Sequence, residues 1–310
     1  MLEMRRLQIL AALEMSTTMT SAAARLHMTP SAVSQQISLL EREVGVPLLD
    51  RAGRSVRLNA AGSDLVQHYH LIRAQMEQAE ASMARARHEV SGVLTISTFP
   101  SFCSTILPAA LMSLRRAHPQ LVVRVRDMEP LESIVGLREG SVDVAVVDDL
   151  QPVPLDDMDV TELSRDEIVL CLSAEHDDLP LRVRLADVAG ERWIFDSLDS
   201  RFAEMSAQTC REAGFEPEVV AHCGNLTAAM GLVRAGFGIT LVSELYLGRE
   251  TSDVTVRRLN PPITRNHRIL TRQSNRDSPG VVAVRSHLRR AARDRYGSAD
   301  QAPAVAVKHS

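Results

Sequence analysis

Five side chains, Ser31, Ser34, Gln35, Ser38 and Arg42, fall on one side of a stretch whose other side is apolar. Short hydroxyls, an amide and a guanidinium are the groups that read base edges when a helix lies in the major groove of duplex DNA. Arg51, Arg54 and Arg57 follow on a short segment, where they suit phosphate or minor-groove contact. Ordinary surface charge on a solvated hairpin explains any single one of them equally well. Net charge does not decide between these readings, because ten arginines stand against nine acids between Met1 and Val90. Placement carries the case.

No other chemistry is spelled out. Cys103, Cys171, Cys210 and Cys223 form no C-x-x-C pair, and Cys210 shares a helical face with Phe202, Met205 and Ala213, which points to core packing. His68 and His70 are two apart on a helix and point to different sides, which argues against a shared metal. The motifs G-x-S-x-G, H-E-x-x-H and the P-loop are absent. Asp148 and Asp149, like Asp177 and Asp178, read as solvated loop ends rather than a catalytic pair. No catalytic residue, metal or cofactor is expected.

The polar face needs a helix held against a second one. Thr20 stands where an N-cap is wanted, ahead of a helix in which Ala23 and Ala24 are small enough for close crossing and Leu26 continues the buried side. Thr29 caps the next helix, and Pro30 takes its first position, where the missing N–H has no consequence. Val33, Ile37, Leu40 and Val44 recur at i, i+4, i+7 and i+11 as one apolar stripe, and Gly45 ends the helix. Residues 46–59, VPLLDRAGRSVRLN, read as strand, turn and strand. From Asn59 to about Glu89 a long helix carries Leu65, Tyr69, Ile72, Met76, Ala79, Met83, Ala86 and Val90 in alternating steps of four and three, the spacing of a two-helix seam. A dimerising linker about 45 Å long follows from 1.5 Å per residue. Two-fold symmetry in the protein predicts a dyad in its DNA site.

The run AAARLHMTPSAVSQQISLLEREVGVPLLDRAGRSVRLNAAG, residues 22–62, resembles the winged helix-turn-helix of LysR-type transcriptional regulators. The resemblance implies DNA contact through Thr29, Pro30, Ser31, Ser34, Gln35, Ser38 and Arg42 on the helix and Arg51, Arg54 and Arg57 on the wing. Members of that family often carry Gln at the position of Pro30, so a base contact there is lost and the reading shifts to Ser31, Ser34 and Gln35. Asn59 replaces the usual Thr before the linker helix and caps as well.

From Gly92 the rhythm changes. Residues 93–97, 121–125, 142–147, 168–172, 193–195, 239–242 and 269–271 are short β-rich runs, alternating with helical stretches at 107–117, 131–138, 202–213 and 226–235. Alternation of this kind predicts open α/β sheets with ligands at the carboxyl ends of strands. PSFCSTILPAALMSLRRAHPQLVVRV, LREGSVDVAVVDD and NLTAAMGLVRAGFGITLVSE resemble the effector domain of the same family, which has the two-lobed fold of type 2 periplasmic binding proteins. Gly236 is read as a helix end and Gly238 as the sharp entry into a strand. The expected fold is therefore α/β with an N-terminal all-α winged helix-turn-helix (1–60), a linker helix (61–90), an effector domain (91–296; one lobe from 91–163 and 267–296, the other from 164–266) and a disordered tail (297–310). The resemblance further implies an effector in the cleft, touched by Thr98, Pro100, Ser101, Phe102, Asp196, Ser197, Asn225 and Thr227. Hydroxyls beside helix starts would favour an anionic one.

Chain-wide, no charged segment leads into an apolar one as in a signal peptide, and no apolar run is long enough to span a bilayer, so a cytoplasmic location is expected. Two functions stand. The first is a transcription factor, a dimer or tetramer on double-stranded DNA, switched by a small effector and touching RNA polymerase if it activates. The second is an enzyme or solute-binding module with an incidental helical N-terminus. The capped polar helix and the winged hairpin favour the first.

Overall fold

The computed structural model describes residues 2–14, 16, 18–52, 55–86, 90–150, 153–176, 178–198, 200–247, 251 and 253–297. Three helices, α1 (Met4–Glu14), α2 (Met19–Arg25) and α3 (Pro30–Val44), precede a hairpin of β1 (Leu49–Ala52) and β2 (Ser55–Leu58) and the linker helix α4 (Ala60–Ala86). One core joins them, from Leu7, Leu10, Ala22, Ala23, Val33, Ile37 and Leu40 to Leu48, Val56, Val66 and Tyr69. The cap of α2 is Thr18 and not Thr20: its hydroxyl accepts from the Ser21 N–H, and Ser21 Oγ accepts from the Thr18 N–H. The reciprocal pair starts the helix two residues early. Ala22 and Ala23 make the close crossing, while Ala24 is exposed.

The α2–α3 turn closes without glycine. His27 takes a left-handed φ of 52°, its N–H donates to Ala24 O at 3.2 Å, and the Met28 N–H donates to Ala23 O at 2.9 Å. This is the double closure that usually has glycine at its left-handed position. On the far side of α3, Gly45 at φ 77° is the expected stop. Gly62 is set by proximity instead, since a Cβ there would meet Leu48 O at 2.2 Å.

The second part contains β3 (Gly92–Thr98), α5 (Pro100–Thr105), α6 (Leu107–Ala117), β4 (Leu121–Asp127), α7 (Pro130–Glu139), β5 (Val144–Asp148), β6 (Met158–Leu172), β7 (Arg182–Val183), β8 (Arg192–Phe195), α8 (Arg201–Glu212), β9 (Glu218–His222), α9 (Leu226–Arg234), β10 (Thr240–Ser243), β11 (Thr255–Arg272) and α10 (Pro279–Gly297). The predicted helices recur within one or two residues of their bounds. The strand expected at 142–147 starts at Val144, and those expected at 168–172 and 269–271 are only the ends of β6 and β11. These two long strands pair antiparallel along most of their length, with register shifts between Arg258 and Ile263 and between His267 and Arg268. One half of the pair continues through β5 and β3 to β4, and the other carries β10, with β7 on β11. The parallel pair β8–β9 is tied in by a bridge from Trp193 to Ile239.

Separate cores flank the crossing pair. Ile96, Phe102, Leu107, Val144, Val281 and Leu288 cluster on one side; Ile168, Leu170, Trp193, Phe195, Cys210 and Leu259 cluster on the other. These are two lobes around shared strands. The tail residues 298–310 and linker residues 87–89 lie outside the described residues.

Candidate nucleic-acid interface and interlobe cleft

On α3, Val33, Ile37 and Leu40 are buried while Val44 is partly covered, which fixes the rotation of the helix. Ser31, Gln35 and Arg42 are exposed and Ser34 and Ser38 half-buried on the opposite side. Thr29 Oγ1 accepts from the Ala32 N–H at 3.2 Å and lies 3.0 Å from Ser31 Oγ, with Pro30 exposed at the first position. Arg42 Nε donates to Ser38 O at 3.3 Å, laying the guanidinium along the same face. Gln36 is not part of it, because its side chain accepts from Arg6 Nε at 3.2 Å and ties α3 to α1.

In the hairpin, Arg57 is exposed opposite Asp50. Arg54 and the Arg51 side chain lie outside the described residues. Asn59 Oδ1 accepts from the Gly62 N–H at 2.9 Å and so caps α4 as expected. Along α4 the expected seam divides. Leu65 and Tyr69 are spent on the helix-turn-helix core, whereas Ile72, Met76 and Met83 are 44 %, 49 % and 58 % exposed. The unpartnered part of the stripe begins two turns later than the spacing implies.

Between the lobes lies a cleft open to solvent. Pro100, Ser101, Asp196 and Asn225 line it as expected. Thr98, Phe102, Ser197 and Thr227 do not: Phe102 is fully buried in the first lobe's core, Thr98 is fully buried in β3, and Ser197 and Thr227 are exposed outside the lining. Helical periodicity explains Phe102, which points one residue round α5 from Ser101 into the sheet. Asn225 Oδ1 caps α9 through the Ala228 N–H at 2.9 Å, and Asp196 accepts from the Ser197 N–H at 2.8 Å and the Ser200 hydroxyl at 2.9 Å.

Arg265 on β11 escaped the sequence reading and organises the cleft floor. Its side chain is 4 % exposed. Nη2 donates to Ser101 Oγ at 3.0 Å, Ser243 Oγ at 2.8 Å and Asp166 Oδ2 at 2.9 Å; Nη1 stands 3.4 Å from Asp148, and the guanidinium covers the Phe99 ring at 4.7 Å. Asp166 also lies 3.3 Å from His267 Nε2. Burial alone would raise the Asp166 carboxyl, but His267 and Arg265 outweigh it and hold it well below the usual range. Asp148 is a correction: it is no solvated loop end but a buried partner of Arg265, and Asp149 is fixed by the Asn266 N–H at 2.8 Å. Burial pushes the Asp148 carboxyl up against the pull of Arg265.

Glu129, at the start of α7, also lines the cleft, and burial followed by Asp196 and Asp148 raises its carboxyl. The lining thus contains three carboxylates, Glu129, Asp148 and Asp196, against Arg201 and Arg265, a balance that the expectation of an anionic effector did not anticipate. Cys210 matches the expected core packing and Cys171 is buried too, whereas Cys103 and Cys223 are half-buried and Cys223 lines the cleft. Burial pushes Cys171 and Cys210 up to about 12, and all four cysteines are free. Gly236 ends α9 at φ 69°, but Gly238 is required by closeness, because a Cβ would meet Arg192 O at 2.7 Å. No described helix is long and apolar enough to cross a membrane.

This geometry has relatives. The profile of the bacterial regulatory helix-turn-helix protein, lysR family, matches residues 4–63, and that of the LysR substrate binding domain matches residues 87–293. The Hca operon transcriptional activator HcaR of Escherichia coli is 30% identical over 266 residues, 83% of this chain and 86% of that protein. The HTH-type transcriptional regulator AlsR of Bacillus subtilis is 28% identical over 271 residues, 84% of this chain and 86% of that protein. Among solved structures, the H2O2-bound C206S mutant of Corynebacterium glutamicum OxyR superimposes with a TM-score of 0.60 at 21% identity, covering 96% of this chain and 97% of that one, which shows a shared fold. With a helix-turn-helix of the right kind joined to the matching two-lobed domain over nearly its whole length, the chain belongs to the LysR family of transcriptional regulators, with a DNA-binding and an effector-binding domain.

Proposed function

We propose that this regulator reads a dyad-symmetric duplex site through Ser31, Ser34, Gln35, Ser38 and Arg42 of α3, with Thr29 and Pro30 at the helix start against the backbone. Arg57, and by the sequence reading Arg51 and Arg54, hold phosphates from the wing. Two copies join along Ile72, Met76, Ala79 and Met83 of α4, as a dimer or within a tetramer. A small effector bound between the lobes shifts the arrangement of the DNA-binding helices, and RNA polymerase is the next partner if the output is activation. The protein acts by binding and not by catalysis, in the cytoplasm. The observation that carries this reading is the polar face of α3, left open while the opposite face is locked into the core.

The test is a gel shift with DNA flanking the protein's own gene. Ser34→Ala or Gln35→Ala is expected to weaken specific binding by about 1–3 kcal/mol while binding to random duplex hardly changes. Equal losses on both would move base reading away from these two residues.

A further inference from the structure

We propose that the cleft takes a small organic cation, a protonated amine or guanidinium on an apolar or aromatic body. The inference rests on the cleft being the effector site and adds the charge of its occupant. Each guanidinium in the lining already has a carboxylate partner. Arg265 is held by Asp166 and Asp148, and Arg201 is held by Glu204 at 2.7 Å. The carboxylates are less well served. Asp196 has the Ser197 and Ser200 hydroxyls and the Ser197 N–H but no cation, Asp148 has the Leu150 N–H and shares Arg265 with Asp166, and the Glu129 side chain has no hydrogen bond or ion pair among the described residues. The lining itself holds three carboxylates against two guanidiniums that already have carboxylate partners. An entering anion meets charge of its own sign; an entering cation supplies what is missing.

The helix starts do not reverse this balance. α5, α7, α8 and α9 all begin at the cleft, and their positive ends would draw an anion. Ser200 already caps α8, Asn225 already caps α9, and Glu129 sits at the start of α7. Only the six-residue α5 is left without a capping side chain or an acid at its start. Phe195, Phe202 and Leu226 supply apolar wall for the rest of the ligand, and aromatic faces add to the attraction for a cation. Position matters as well as sign. Glu129 and Asp148 belong to the first lobe and Asp196 to the second, so a cation between them is attracted to both and favours the closed arrangement over the open one. That is the differential affinity a switch requires.

Calorimetric titration of the full chain at low salt and neutral pH tests this with phenethylamine, tyramine and agmatine, beside phenylacetate, 4-hydroxyphenylacetate and glutarate. At least one amine should bind saturably and none of the acids should. Glu129→Gln and Asp196→Asn should each weaken that amine by about tenfold, the loss of one charge-assisted contact. Glu212→Gln, an exposed acid at the end of α8, should leave the affinity at its wild-type value, and melting curves report that all three variants are folded. Acids binding in place of amines, with binding lost in Asn225→Ala, would overturn the cation while leaving the cleft as the effector site. Amine binding that survives both carboxylate variants, or no binding by any amine at millimolar concentration, would overturn it too. Failure of the cleft reading itself looks different: a compound that alters operator binding yet is indifferent to Ser101→Ala and Asn225→Ala.

Discussion

Asp166 and Glu129 are two carboxylates whose surroundings push them in opposite directions, and their pH dependences must differ in sign. For Asp166, burial is outweighed by His267 and Arg265, so the folded protein holds the ionised form more firmly than the unfolded chain does. Its contribution to stability is present above the ordinary carboxylate range near pH 4 and is lost as pH falls through the lowered value. Asp166→Asn leaves Arg265 buried with Asp148 at 3.4 Å as its remaining carboxylate among the described residues, and a loss of about 3–5 kcal/mol in urea unfolding is expected. A change below about 1 kcal/mol would mean that the pair behaves like an exposed one. Glu129 is raised, by burial first and then by Asp196 and Asp148, so its ionisation opposes folding at neutral pH and that opposition fades as pH falls through its folded value. Glu129→Gln should therefore raise the melting temperature at pH 7, with a benefit that shrinks on acidification. A benefit independent of pH would assign it to packing instead of charge.

At the scale of elements, the α2–α3 turn and the linker helix each carry a prediction. His27 holds a left-handed conformation that a side chain resists by about 1–2 kcal/mol, so His27→Gly should stabilise the helix-turn-helix by up to about 1 kcal/mol once glycine's greater unfolded freedom is deducted. An unchanged or lowered unfolding midpoint would show that the imidazole makes a compensating contact. In α4, Ile72→Asp with Met76→Asp should abolish the proposed dimer in sedimentation, since in that arrangement the pair would face its own symmetry mates as like charges. An intact dimer with native operator affinity would put the interface elsewhere.

The same elements show what a sequence discloses. Thr29, Pro30 and Gly45 mark α3 at both ends because caps are local chemistry, and 107–117 matches α6 residue for residue. The long strands β6 and β11 stay hidden. Much of their length is charged, and the charges are complementary across the pair: Arg268 with Glu162 at 2.8 Å, Arg265 with Asp166 at 2.9 Å and Arg258 with Glu167. Polar stretches of that kind read as loops until the partner strand is known. Arg265 is missed for the same reason, lying 164 residues from the Ser101 that it holds.

The whole molecule joins its two halves through more than the linker. Arg25, at the end of α2, stands 2.6 Å from Glu139 at the end of α7, and Glu77 of α4 accepts from Arg272 Nε at 2.8 Å and also takes the Ser274 hydroxyl. α7 is the helix whose start places Glu129 in the cleft, so its other end touches the DNA-binding domain. One rigid helix of ten residues thus spans from the effector cleft to α2. If the proposed effector displaces α7, the movement reaches the Arg25 contact without passing through the shared strands β6 and β11. The contact is partly exposed, so its coupling energy should be about 0.2–1 kcal/mol, up to about fivefold in operator affinity. Arg25→Glu and Glu139→Arg should each disturb unfolding and operator binding, and the charge-swapped double variant should recover a share of both. Recovery separates the pair from two independent surface changes. Strict additivity in the double-mutant cycle would mean that α7 passes no signal at this point and that the linker alone carries it.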